Sequence, residues 1–171
     1  MTGTTMAATG EIEAFRHLTR MTDQVVRINV AGVTQAESLA QPNPGGNCLN
    51  WALGHLVAVY ENALPLVRQQ PVLPAGAMKR YDRGSAPITD GSDARDFGEL
   101  VRLWEEQVKR MDAGLSTLNP EYLDQPAPFS PTGNEKETVR TLVGTIVFHQ
   151  TYHAGQTGLL RRISGKEGAI K

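Results

Sequence analysis

The chain has 171 residues, a formal net charge of −1 and 40% apolar residues. That is enough for one domain whose core needs no disulfide, and it leaves neither the basic stripe of a nucleic-acid binder nor a polybasic membrane patch. The single cysteine, Cys48, excludes an internal disulfide and fits a reducing cytosol. No stretch approaches the roughly 18 uninterrupted apolar residues of a membrane helix. The opening MTGTTMAATG lacks the charged start and apolar run of a secretory signal. A cytoplasmic protein with no nucleic-acid or membrane partner is expected.

Apolar residues recur at helical spacing in four places. The first helix is expected over roughly 10–32, starting after Thr9, with Ile12, Phe15, Leu18, Met21, Val25 and Ile28 on its stripe and a stop near Gly32. A Pro/Gly-rich connection, 33–46, follows. The second helix is expected over 47–68, capped by Asn47, with Trp51, Ala52, His55, Leu56, Val59, Ala63 and Leu66 inward. The connection 69–92 is long for a compact domain, and such a segment serves as a site lid or a crossover strap. It contains MKRYDRGS, 78–85, where Arg80, Tyr81, Asp82 and Arg83 offer chemistry. The third helix, 93–118, has the cleanest seam: Phe97, Leu100, Val101, Trp104, Val108, Met111, Leu115 and Leu118, with Ser92 or Asp93 as its cap. After 119–133 the fourth helix is expected over 134–163, with Asn134 and Glu137 forming a capping box. The pattern predicts an all-α single domain over 1–171.

The fourth helix carries FHQTYHAGQ, 148–156. Residues four apart on a helix differ by about 40° in direction and about 6 Å in height, so His149 and His153 point the same way. Both lie on the apolar stripe, where an unpartnered imidazole is costly and a divalent ion is a natural solution. His55, between Trp51 and Val59 on the second helix, makes a third inward imidazole. Three protein ligands with an open fourth position is the arrangement of catalytic rather than structural metal sites. His17, off its helix's stripe, reads as a surface residue. HQTYH has the spacing of the HExxH zinc-protease helix, but Gln150 stands where the general base belongs, which argues against that chemistry.

Around the triad, Gln156 shares the face of His149 and His153 and can orient a ligand or hold a metal-bound water. Tyr152 flanks that face. Asn50, one turn before His55, reads as a cap residue or a partner of the site, and Arg80 and Arg83 can hold an anionic substrate. Cys48, two turns from His55, lies about 10 Å along the axis from it, too far to ligate the same ion.

NWALGHL (50–56) and HQTYHAGQTGLLRR (149–162) resemble the DinB/YfiT-like metal-binding proteins, and the four-helix layout is similar over nearly the whole chain. The resemblance implies a DinB-type four-helix bundle with a long crossover between its second and third helices. It implies one divalent metal (zinc, nickel, iron or manganese) held by His55, His149 and His153. It also implies a metal-dependent S-transferase or isomerase acting on a small molecule with a low-molecular-weight thiol such as bacillithiol or mycothiol. A homodimer is a further expectation. The alternative is a non-catalytic metal-binding or stress-associated protein, in which the ion staples two helices inside a closed site.

Overall fold

The computed structural model describes residues 3–168, with side chains from Gly10 onward, and all its regular structure is helical. Four long helices dominate: α1 (Gly3–Val30), α3 (Leu49–Ala63), α4 (Phe97–Leu115) and α6 (Val139–Ile163). The short helices α2 (Gln35–Ser38) and α5 (Pro120–Leu123) lie in the connections, and 3₁₀ turns cover Leu64–Val67 and Lys79–Tyr81. Among the described residues, no helix is long and apolar enough to cross a membrane.

α3 is the central element. Thirteen of its fifteen residues are buried, because it is apolar nearly all round. It packs on α4 and α6, and α1 packs on the same two helices from the other side. Chain directions follow from paired residues. Thr22 meets Thr151 at 3.0 Å and Asn29 meets Thr157 at 3.0 Å, so α1 and α6 run parallel. Asn50 reaches the Arg95 carbonyl, Glu61 meets Gln107 and Val67 abuts Gly114, so α3 and α4 are also parallel. Ion pairs from Arg16 and Arg20 to Asp112, each 2.9 Å, join α1 to α4.

The long segment after α3 is held at fixed points. The buried Glu61 carboxylate accepts the Leu73 N–H at 2.6 Å and the Gln107 amide at 2.6 Å. The Tyr81 hydroxyl donates to Asn50 (3.0 Å) and accepts the Arg95 N–H (2.7 Å).

Four helix starts differ from expectation. α6 begins at Val139, and its cap is Thr138, in a reciprocal box with Thr141. Asn134 instead turns the chain locally by accepting the Lys136 N–H, and Glu137 is buried under Ser130 and Thr141. Asp96, not Ser92 or Asp93, caps α4; Ser92 closes a turn with Asp90. Cys48 rather than Asn47 precedes α3, without a side-chain cap bond. α1 begins at Gly3, well before Thr9. Its buried side is Ile12, Thr19, Thr22, Val26, Asn29 and Val30, whereas Leu18, Met21 and Ile28 are about half exposed.

Candidate metal centre

His55 on α3 and His149 and His153 on α6 converge, with one candidate ligand atom from each lying within 4.8 Å of the others. The helical spacing of 149 and 153 stacks two imidazoles on one side of α6, and the antiparallel approach of α3 supplies the third. His55 is buried; His149 and His153 are half-buried.

Hydrogen bonds orient two of the rings. The Tyr81 carbonyl, which can only accept, lies 2.7 Å from His55 Nδ1, so that nitrogen carries the proton. Trp51 stacks on the same ring at 4.8 Å. Gln156 Oε1 lies 2.7 Å from His153 Nδ1 and fixes it in the same way. The neutral rings therefore turn Nε2 lone pairs toward the cluster. His55 Nε2 and His149 Nε2 are 3.2 Å apart, and His149 Nδ1 is buried without a partner.

All three imidazoles are held below the ordinary value. Burial is the largest cause in each. For His149, the neighbouring His153 and His55 add to it and bring the value to about 4. For His55 the Tyr81 carbonyl opposes the shift, as Gln156 does for His153. At neutral pH the cluster is thus three uncharged nitrogen donors crowded together, one with an unpartnered buried atom. A divalent cation fits that set, and the absence of carboxylate from it favours metals that accept imidazole over those that demand oxygen.

The pH consequence has a definite sign. Imidazoles of the unfolded chain protonate near 6.5, those of the folded chain lower. Between these values the unfolded state binds more protons, so metal-free protein is expected to lose stability as pH falls from about 6.5 toward 4. Melting curves of chelated protein at pH 7.5, 6 and 5 measure this. A melting temperature flat across that range contradicts the buried neutral cluster.

Beside the triad a cavity of about 510 Å³ has His55 and His149 in its wall. Its apolar lining includes Val59, Phe129, Leu142 and Ile146, while Asp82 and Arg83 stand at its exposed side. The family profile described as the DinB superfamily matches residues 15–157. The chain belongs to the DinB superfamily. No curated protein matches it significantly.

In this DinB-superfamily chain the remaining site expectations divide. Gln156 bonds His153, and its amide also reaches the Tyr152 hydroxyl at 3.3 Å, so Tyr152, Gln156 and His153 form one chain of contacts. Asn50 acts at one remove, through Tyr81. Arg80 does not line the cavity: its guanidinium is bonded to Asp93 and to the Ala86 and Pro87 carbonyls. Gln150 points into the core and donates to the Leu56 carbonyl at 2.9 Å. His17 is exposed, and Cys48 is buried outside the cluster.

Two contributors had no visible signal in the sequence. One is the Tyr81 backbone carbonyl, since a loop's carbonyl direction is not encoded by residue type. The other is Gly54. A Cβ there would lie 2.1 Å from the Tyr81 ring, so only glycine lets the tyrosine lie flat against α3, one residue before His55.

Proposed function

We propose that this protein is a divalent-metal-dependent enzyme that joins a low-molecular-weight thiol to, or rearranges it on, a small apolar electrophile. The observation that carries the reading is the cavity whose wall contains His55 and His149. A site meant only to staple α3 to α6 has no use for an opening of this size beside its ligands. His55, His149 and His153 would hold the metal, and the metal when bound supplies Lewis acidity and a lowered thiol pKa.

The chain's own residues then divide the remaining tasks. The Tyr81 carbonyl and Gln156 keep His55 and His153 in the tautomer that offers Nε2. Val59, Phe129, Leu142 and Ile146 exclude water from an apolar substrate body. Arg83, at the cavity's exposed side, attracts an anionic substituent. We further read the four long helices as a DinB-type bundle, with the segment between α3 and α4 as its crossover. The parallel course of those two helices supports this, because parallel neighbours need a connection that returns along the length of the bundle.

The test is turnover by metal-loaded protein of a fluorogenic alkyl halide with bacillithiol, mycothiol or another small thiol. Activity that requires the ion and disappears in His149→Ala supports the reading. No turnover with zinc, nickel, iron or manganese, beside a large loss of melting temperature on chelation, would establish the stapling alternative. With an anionic electrophile, Arg83→Ala is expected to raise KM about tenfold while kcat changes little, the pattern of lost uniform binding. Equal KM values for anionic and neutral substrates in the parent protein would remove Arg83 from the role.

A further inference from the structure

The residue that follows His149 on α6 is a glutamine, Gln150, with no exposed surface. A position of this kind ordinarily takes an apolar side chain, because a buried amide is costly unless both of its ends are satisfied. Only half of the Gln150 amide is accounted for. Its Nε2 donates at 2.9 Å to the carbonyl of Leu56, the residue after His55 on α3. A carbonyl can only accept, so the amide nitrogen is fixed there and the amide oxygen points elsewhere. That Oε1 is buried and has no hydrogen-bond partner.

His149 has the complementary defect. Each of the other two rings has an oxygen on Nδ1, from the Tyr81 backbone for His55 and the Gln156 side chain for His153, both at 2.7 Å. The Nδ1 of His149 is buried without one. Its Nε2 lies 3.2 Å from the Nε2 of His55. His55 carries its proton on Nδ1, so its Nε2 can only accept, and the contact is a hydrogen bond when His149 is protonated on Nε2. That tautomer consumes both lone pairs that a cation needs. The other tautomer, with the His149 proton on Nδ1, frees both and requires an acceptor at Nδ1. A donor and an acceptor left over on adjacent residues satisfy each other. The electrostatics agree: burial, His153 and His55 lower the His149 value, and the Gln150 amide opposes them.

We infer that Gln150 is a positioning residue of the metal centre: its Oε1 accepts the His149 Nδ1–H and so selects the tautomer that offers Nε2 to an ion. The inference rests on the reading of the triad as a metal centre. One amide then serves both helices, its nitrogen holding the backbone of α3 beside His55 and its oxygen holding a ring of α6. The three imidazoles share one pattern, an amide or peptide oxygen on each Nδ1 and a lone pair on each Nε2. Oxygen partners of this kind orient histidine ligands and raise their basicity. The residue type follows as well. An apolar side chain would leave Nδ1 unpaired, and an ionised glutamate would set a buried charge against the Leu56 carbonyl. A neutral amide donates to the carbonyl and accepts from the ring at once.

Long-range proton–nitrogen correlation spectra of the chelated full chain at neutral pH read the tautomer without any bound ion. His149 is expected with its proton mainly on Nδ1. Gln150→Met, close in size but without an acceptor oxygen, is expected to move that proton to Nε2 while His55 and His153 stay as in the parent; Gln150→Leu stands in should it fail to fold. Competition with a chromophoric chelator then gives the zinc affinity of the folded proteins. It is expected to weaken about 10–100-fold in Gln150→Met and to stay close to the parent's in Gln150→Glu, which keeps an acceptor in either protonation state although it lowers the melting temperature. A role confined to the α3–α6 contact would lower stability in both variants and leave zinc affinity unchanged. A parent whose His149 is protonated on Nε2 overturns the inference, as does a zinc affinity that is unchanged in Gln150→Met or falls equally in both variants. The expected tautomer, lost in Gln150→Met, in a parent that takes up no zinc, nickel, iron or manganese supports the Gln150–His149 bond and removes the metal-dependent reading.

Discussion

Protein purified without a metal-affinity tag is expected to carry close to one equivalent of a divalent transition metal, and His149→Ala to carry almost none. Elemental analysis by plasma mass spectrometry checks both. Losing a mere hydrogen-bond partner of a metal ligand costs about 10–100-fold in affinity, so losing the ligand itself should cost more. His149 is the informative choice. Its Nδ1 has no partner and its Nε2 lies 3.2 Å from that of His55, so it has the least reason to exist without an ion. If the parent protein neither contains metal nor takes up zinc, nickel, iron or manganese, the three imidazoles are polar core residues and the metal-dependent reading is lost. The melting temperature separates the roles further. His149→Ala should narrow the gap between metal-loaded and chelated protein to nearly nothing. It should also remove the imidazole that burial and its neighbours His153 and His55 bring to about 4, leaving chelated mutant less acid-sensitive than chelated parent.

The second large effect is expected from Gly54→Ala. On helix propensity alone this change should stabilise the protein by about 1 kcal/mol. The added methyl, however, would sit 2.1 Å from Cδ1 of Tyr81, whose ring is fully buried. Overpacking of that kind costs about 1–3 kcal/mol and should win. The consequence reaches the metal, because the carbonyl of the displaced residue holds His55 and its hydroxyl joins Asn50 to the Arg95 N–H. Metal affinity should fall by about 10–100-fold, measured by competition with a chromophoric chelator. Shrinking Tyr81 in the same protein, as Gly54→Ala/Tyr81→Leu, should recover stability relative to the additive expectation, because the two residues touch. A Gly54→Ala protein with the parent's melting point and affinity would show that α3 and the loop adjust freely, and that the carbonyl does not position His55.

The triad was readable because helical spacing and residue type suffice to place it. His149 and His153 must share a face, and His55 lies on an apolar stripe that has to turn inward. The same logic misplaced α1. Its contact with α6 runs in part through Thr22 and Asn29, which bury themselves by pairing with Thr151 and Thr157, so counting apolar residues selected Leu18, Met21 and Ile28 instead. Helix starts were missed where two capping candidates competed. Asn134 satisfies a local turn and leaves the cap to Thr138. Arg80 and Arg83 are equivalent in sequence, and only the course of the loop decides that one is fixed to Asp93 while the other reaches the cavity.

His55 and the two histidines of α6 are separated by more than half the chain, and α6 is the last of the described helices. During synthesis, a growing chain that has already produced α1, α3, the Tyr81 loop and α4 therefore owns a single ligand. The remaining two arrive together, on one helix that must still dock between α1 and α3. Metal capture by the three histidines would thus have to wait for α6 to dock. On the metal-dependent reading, a nascent or truncated chain would hold the ion no better than any isolated histidine, and an occupied centre would certify that α3 and α6 have met.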